Sequence, residues 1–355
     1  MNPAQPDPLD TAFSAEWLQK EHFPPIEFVV PGLIPEGLTL LVGGPKLGKS
    51  WLALGIAVAA SEGGRALGTI AVDSRPVLYL ALEDGPRRLQ SRLTKLGLQS
   101  WSRRLMFMTE FPAYTNPHET IRAFMERHSD QKPLVIVDVL KKITGTYGGN
   151  DAYGNDYAQM ASLKKLADSV PGGSVIAIHH NRKAAAEDFV ESISGTQGIA
   201  GAADTILVLA RSRGTGEATL HATSRETTEG TYAVTFNEGH WRIDGNGLQQ
   251  ASDRAALRVI TGGVGDTMAQ LIEIVNGHEE GISPSNLAVL LPTVPPDTIR
   301  QYLTRAQKEG RVARVKRGLY GPVTSVTTVT TTEPFPPEVT QVTDVTRHLE
   351  AVSNE

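Results

Sequence analysis

Residues Leu38 to Ala60 read LTLLVGGPKLGKSWLALGIAVAA, a run that constrains the fold more tightly than any other in the chain. A strand-like apolar stretch meets a glycine-rich turn, and a helix-like stretch follows, with the spacing G-x-x-x-x-G-K-[ST] from Gly43 to Ser50. Glycines let backbone N–H groups curl around an anion, and a helix beginning just after them adds the positive end of its dipole. A lysine at position 49 meets the β- and γ-phosphates, and a serine at 50 ligates Mg2+. Gly43, Gly44, Pro45, Lys46, Leu47, Gly48, Lys49 and Ser50 are therefore the expected binding set for ATP with Mg2+. The competing reading is a glycine-rich turn that happens to precede a lysine. A chance match in such a chain is on the order of a few per cent, and the strand–loop–helix context lowers it further.

Such a loop belongs to an α/β sheet, and the following sequence has the right pattern. Short apolar β-rich runs occur at Leu38–Val42, Val77–Leu82, Leu105–Met108, Leu134–Val137, Ser174–Ile178 and Thr205–Leu209. Helical segments are expected between them at Ser50–Ser61, Arg87–Leu96, His118–His128 and Asp156–Ser169. Ala218–Thr223, Tyr232–Phe236 and His240–Ile243 read as antiparallel strands closing one edge. A mainly parallel central sheet over residues 31–247 follows, after a proline-rich segment 1–30 in which Asp10–Lys20 is a short helix. At 355 residues the chain has room for this domain and a smaller one.

The second pattern begins after a polar stretch, 248–265, read as a linker. Met268–Asn276, Ser283–Leu291 and Asp297–Glu309 read as short helices, Gly310 suits a helix C-terminus, and VARVKRGLYG reads as a two-stranded wing turning at Arg317-Gly318. Residues 266–321 are thus expected to be a winged helix-turn-helix, with Ile299, Leu303 and Ala306 facing inward. The net charge is −5, yet between Asp297 and Tyr320 seven basic residues face two acidic ones. That local excess suits DNA phosphates better than the sum suggests. Arg300, Arg305, Lys308, Arg314, Lys316 and Arg317 are the expected duplex contacts, against the alternative of a protein-docking module. Residues 322–355, rich in Thr and Val and interrupted by prolines, are expected to be disordered. The sequence has no cysteine, which excludes disulfides, thiolate metal sites and thiol nucleophiles. No apolar run reaches membrane-spanning length and no secretory signal is visible, so a soluble cytoplasmic protein without a membrane partner is expected.

Three further motifs bear on chemistry. PLVIVDVL puts Asp138 behind four apolar residues, the place for the carboxylate on the magnesium side of such a site. VLYLALEDGP ends a strand with Glu83 and Asp84 at the crevice where open α/β sheets bind ligands. Glu83 is the expected general base for the attacking water and Asp84 the cap of the next helix, unless both only cap it. SVIAIHHNRK puts His179 and His180 at another strand end. Adjacent strand residues point to opposite faces, so one is expected to face the phosphates and the other to pack in the sheet, and a metal role is disfavoured.

The ordered set GGPKLGKS, ALED, VIVDV, IHHNRK and ISGTQGIAGAADTILVL resembles the RecA-like ATPases of the hexameric replicative helicase type, above all the plasmid RepA helicases, over roughly Pro31 to Ile243. The resemblance implies ATP-Mg bound by Lys49, Ser50 and Asp138, Glu83 as catalytic base, and the histidine pair as sensor. It implies a ring of six copies, with nucleotide between subunits and an arginine finger from the neighbour. Arg225 is the candidate finger, although Thr223 stands where relatives tend to carry lysine, and Arg211 and Arg213 compete. Single-stranded DNA in the ring channel would meet loops 139–155 and 182–197, with Lys141, Lys142, Arg182 and Lys183 either touching phosphates or serving as ordinary surface charges. An appended winged helix is not a defining part of RepA proteins. A replicative helicase or DNA-remodelling motor of a phage, plasmid or integrated element leads. A DNA-binding loader or regulator that uses ATP only as an assembly switch is the alternative, and a signalling or recombination ATPase a third.

Overall fold

The computed structural model describes Leu9 and residues 11–143, 152–180, 201–211, 216–261 and 264–323. It separates into two compact units, Met1–Gly262 and Gly263–Glu355.

In the first unit, α1 (Ala15–Lys20) is capped by Ser14, whose side chain accepts from the Trp17 N–H, and buries none of its residues. β1 (Phe28–Val30) pairs with β2 (Ile34–Pro35), and Val29, Val30 and Ile34 are fully buried. The packed domain therefore starts before the expected boundary at residue 31, because the proline-rich segment hides a hairpin too short to show a period. There follow β3 (Gly37–Gly43), α2 (Lys49–Glu62), β4 (Arg65–Ala66), β5 (Ile70–Ala71), β6 (Val77–Ala81), α3 (Pro86–Lys95), β7 (Leu105–Met108), α4 (Pro117–Arg127), β8 (Leu134–Asp138) and α5 (Ala152–Ala167). β9 (Ser174–His180), β10 (Thr205–Arg211), β11 (Glu217–Ser224), β12 (Gly230–Asn237), β13 (His240–Ile243) and α6 (Leu248–Thr261) follow among the described residues.

One nine-stranded sheet runs β13-β12-β11-β10-β3-β9-β8-β6-β7. Its pairs from β10 to β7 are parallel, and β10 to β13 are antiparallel. The unit is thus mixed α/β with a large, mainly parallel central sheet. β3, β6 and β8 are buried at every residue, as expected for strands covered on both faces. Alternation then sorts their side chains into two cores. Leu41, Tyr79, Ile136, Ile176 and Ile178 pack on the α2 side. Leu40, Leu80, Val137, Val175 and Ala177 pack with Ile121 and Met125 of α4 and Leu163 of α5 on the other.

Helix ends follow local chemistry. α4 begins with a capping box between Asn116 and Glu119 and has Pro117 in its first turn. α2 ends at Gly63, whose φ of 73° is left-handed. The stretch expected as a linker is instead largely α6, with Ala251 and Ala255 buried and Arg258 bonded to Asp244 at 2.9 Å. Its buried face is built from alanines, which a search for Leu-, Ile- and Val-rich runs passes over.

In the second unit α7 (Asp266–Asn276), α8 (Pro284–Leu290) and α9 (Pro296–Lys308) precede a hairpin of β14 (Ala313–Lys316) and β15 (Leu319–Gly321). Leu271, Ile272, Val275, Leu287, Ile299, Leu303 and Ala306 are buried, as is Val312. Gly310 and Gly318 take positive φ, 69° and 82°, at the helix end and the hairpin turn. Residues 324–355, nearly all of the expected disordered tail, lie outside the described residues.

Candidate functional site

Parity along the strands decides which side chains meet. Asp138 ends β8 on the face already occupied by Leu134 and Ile136, and His180 ends β9 on the face of Ile176 and Ile178. Both therefore lie on the side of α2, while His179 shares the opposite face with Val175 and Ala177.

The loop after β3 delivers Lys49 to this face. Gly43 is fixed as glycine by close approach, since a Cβ there would lie 2.7 Å from the Leu209 carbonyl oxygen. Gly48 precedes α2 with φ 97°, and no side chain caps the helix, so its first N–H groups stay turned to the loop. Gly44, Pro45, Lys46 and Leu47 form the turn between, with Lys46 at φ 64°. Lys49 is only 3% exposed, and its Nζ donates to the carbonyl oxygens of Gly43 at 2.7 Å and Gly44 at 2.8 Å. Burial brings its pKa down to about 8, opposed by the charges of Asp138 and Glu83.

Lys49 Nζ also lies 3.0 Å from His180 Nδ1. An ammonium can only donate, so Nδ1 accepts and the proton of the neutral ring sits on Nε2. That Nε2 is 3.9 Å from Glu83 Oε2. A line thus runs from the loop lysine through His180 to the carboxylate that follows β6. Burial, then the charge of Lys49, lowers the His180 pKa, partly offset by Glu83 and Asp138. Burial followed by His180 and Lys49 takes His179 down to about 4.

Asp138 is 4% exposed. Burial raises its pKa, while hydrogen bonds from Tyr79 and Ser50 pull it down. The two groups expected to hold Mg2+ are thus neighbours. One carboxylate and one hydroxyl are a donor set that suits Mg2+, which takes few protein ligands and completes its shell with phosphates and water. Among the described residues no cluster of three or more His, Asp or Glu forms a protein-only metal site.

Several side chains here escape a reading of the sequence. Tyr79 donates to Asp138 Oδ2 at 2.7 Å. Trp241 of β13 donates its indole N–H to the Gly48 carbonyl oxygen at 3.0 Å, and Phe236 packs on it with centroids 5.0 Å apart. Asp84 does not cap α3, whose N-cap is Gly85; its carboxylate instead holds Arg88 and Arg92, and Arg92 lies over the Trp51 ring at 5.3 Å. Strand parity along β6 is the signal that would find Tyr79, but no local pattern links Trp241 to a glycine so distant in sequence.

The other expected residues lie apart. Arg225 follows β11, where Ser224 pairs with Thr205 and Thr205 with Thr39, so it is at the opposite end of the strands from Gly43. Its guanidinium reaches the Gly201 carbonyl oxygen at 3.4 Å. Arg211, at the loop end of β10, lies over the Phe236 ring at 4.9 Å. Lys141 and Lys142 are exposed just beyond β8. Arg182, Lys183 and Arg213 lie outside the described residues. In the second unit Arg300 pairs with Asp297 at 3.1 Å and Arg305 with Glu309 at 2.8 Å, while Lys308, Arg314, Lys316 and Arg317 are exposed. Among the described residues no helix is long and apolar enough to cross a membrane.

Solved structures similar to the chain include three at 16% identity, and a family model matches it as well. The first structure is an ATPase domain at 16% identity, covering 59% of this chain and 85% of that one with a TM-score of 0.47. A KaiC-like protein of the archaeon Pyrococcus horikoshii OT3 matches at 16% identity over 62% and 100%, with a TM-score of 0.45. A DnaB-like replicative helicase, solved in a study of its interactions with primase, matches at 16% identity over 58% of each chain, with a TM-score of 0.47. The chain thus spans just over half the length of that helicase. The AAA domain family (AAA_25) matches residues 5–186, a span that includes the glycine-rich loop, Glu83, Asp138 and His180. That is just over half of the 355 residues, and the protein belongs to this AAA domain family.

Proposed function

We propose that the chain is an ATP-hydrolysing, RecA-like motor of the plasmid RepA type that works on DNA in the replication of a phage, plasmid or integrated element. The observation that supports this most is the convergence of Lys49, Ser50, Asp138, Glu83 and His180 at the carboxyl ends of β3, β8, β6 and β9. In this reading Lys49 exchanges the Gly43 and Gly44 carbonyls for the β- and γ-phosphates, and residues 43–48 wrap those phosphates with backbone N–H groups. Ser50 and Asp138 would hold Mg2+, which supplies charge neutralisation on the phosphates. Glu83, exposed at its strand end, receives the proton of the attacking water. His180 touches Lys49 and faces Glu83, so movement of Lys49 onto phosphate changes the hydrogen bond that His180 accepts. His179, on the other face, packs.

The ring assignment draws on Arg225. At the far end of the sheet from Gly43, it serves as a finger only for the nucleotide of a neighbouring copy, whereas Arg211 stands at the loop end of its own chain. A homo-oligomer of six copies would pass single-stranded DNA past Lys141, Lys142, Arg182 and Lys183. Residues 266–321 act in this reading as a winged helix on duplex DNA through Lys308, Arg314, Lys316 and Arg317, with Arg300 and Arg305 beside them. The compartment of such a motor is the cytoplasm.

A second reading, a loader that switches with ATP but unwinds nothing, is favoured by the concentration of positive charge between Asp297 and Tyr320. ATP turnover with and without single-stranded DNA, beside a forked substrate, separates the two. DNA-stimulated turnover with strand separation supports the motor, stimulation without separation supports the loader, and absence of ATP turnover contradicts the motor.

A further inference from the structure

We propose that Tyr79 is a positioning residue whose hydroxyl fixes the Asp138 carboxylate for magnesium. The inference rests on the reading of Asp138 as the magnesium-side carboxylate. Asp138 ends β8 with 4% exposure, a place where a carboxylate loses most of its water and needs fixed donors instead. The β6–β8 register supplies one. Ala81 pairs with Asp138 and Tyr79 with Ile136, so Tyr79 projects on the same face one pleat earlier and its long side chain reaches forward. The hydroxyl donates to Asp138 Oδ2 at 2.7 Å and lies 3.4 Å from the Ser50 carbonyl oxygen. The same tyrosine thus touches the strand that bears the carboxylate and the first turn of the helix that bears the serine.

Two features separate this from ordinary packing. Tyr79 is 1% exposed, and a phenylalanine would fill the same core without a hydroxyl that has to be satisfied. The ring is also held laterally by Phe107 of β7, with centroids 5.7 Å apart, so the hydroxyl has little freedom to turn away. With Oδ2 engaged by Tyr79, the carboxylate is oriented by a fixed donor before any ligand arrives. Outer-sphere partners of this kind typically change metal affinity about 10- to 100-fold when removed.

The test is binding of a fluorescent ATP analogue by the full-length protein, titrated with Mg2+ and repeated in EDTA. Tyr79→Phe should raise the Mg2+ concentration for half-maximal tightening roughly tenfold, with affinity in EDTA unchanged. Phe107→Leu, which loosens the same packing but spares the hydroxyl, should leave the Mg2+ midpoint in place. An unchanged midpoint in folded Tyr79→Phe, or an equal shift in Phe107→Leu, overturns the inference. If Tyr79→Phe fails to fold, 3-fluorotyrosine placed at position 79 serves instead. Its fluorine resonance should move on adding Mg2+ to the nucleotide complex, and no movement overturns the inference. Asp138→Asn runs in parallel: a wild-type response to Mg2+ that this variant retains rejects the magnesium reading of Asp138 itself, a failure distinct from an unshifted Tyr79→Phe.

Discussion

The carboxyl end of the parallel sheet and the basic stretch between Asp297 and Tyr320 in the second unit both collect charged side chains, but they do so in opposite ways. At the sheet, Lys49 and Asp138 are nearly sealed from water, and each has named partners: loop carbonyls and His180 for one, Tyr79 and Ser50 for the other. On the second unit Arg300 and Arg305 lie exposed and already paired with Asp297 and Glu309. Burial makes charge specific, because a sealed group has no solvent to compensate for a lost partner. Exposure makes charge additive and sensitive to salt. The first region is built for specific contacts, the second for additive ones that salt weakens.

Substitutions should divide along the same line. The largest effect is expected at Lys49→Ala, which removes a buried charge and should weaken ATP binding by about a hundredfold or more in a fluorescence titration. A loss of only a few-fold would mean that the sealed end does not hold phosphate. On the exposed side, joint replacement of Lys308, Arg314, Lys316 and Arg317 by alanine should leave ATP turnover intact. It should flatten the log–log salt dependence of duplex binding by up to about 3.6, each phosphate contact contributing roughly 0.9. An unchanged salt slope would remove DNA from the second unit's role. Arg300→Ala and Arg305→Ala should have smaller effects on that slope, since each cation is already opposed by a local carboxylate.

The smallest expected effect concerns acid. His179 is held neutral, with its pKa taken from the usual 6.5 to about 4. Between those values the unfolded chain binds the proton and the folded one does not, so stability is lost as pH falls from about 6.5 toward 4. A melting-temperature profile of His179→Gln over that range should be flatter than that of the wild type. Parallel profiles would show that His179 is not the group responsible.

Much of the first region is legible in the sequence. The glycine spacing, the fully apolar strands and the strand-end carboxylates each follow from local chemistry, and strand parity separates His180 from His179. Helix ends fall within a few residues of expectation because Gly63 and the Asn116–Glu119 capping box mark them. What sequence withholds depends on distant pairing. Trp241 reaches Gly48 only because four strands on one side of β3 fold back beside the loop helix. Asp84 reads as a cap and instead binds two arginines of α3, a choice set by its 8% side-chain exposure rather than by its position before a helix. α6 stays hidden because its buried face is made of alanines, which bury little area and do not form a run of large apolar residues.

The most direct test of the central claim, that the sealed end of the sheet hydrolyses ATP with Glu83 as base, is single-turnover hydrolysis by Glu83→Gln beside its ATP affinity. The expected result is affinity near that of the wild type with hydrolysis slowed about 100-fold or more. Undiminished turnover in a folded Glu83→Gln protein would contradict the account.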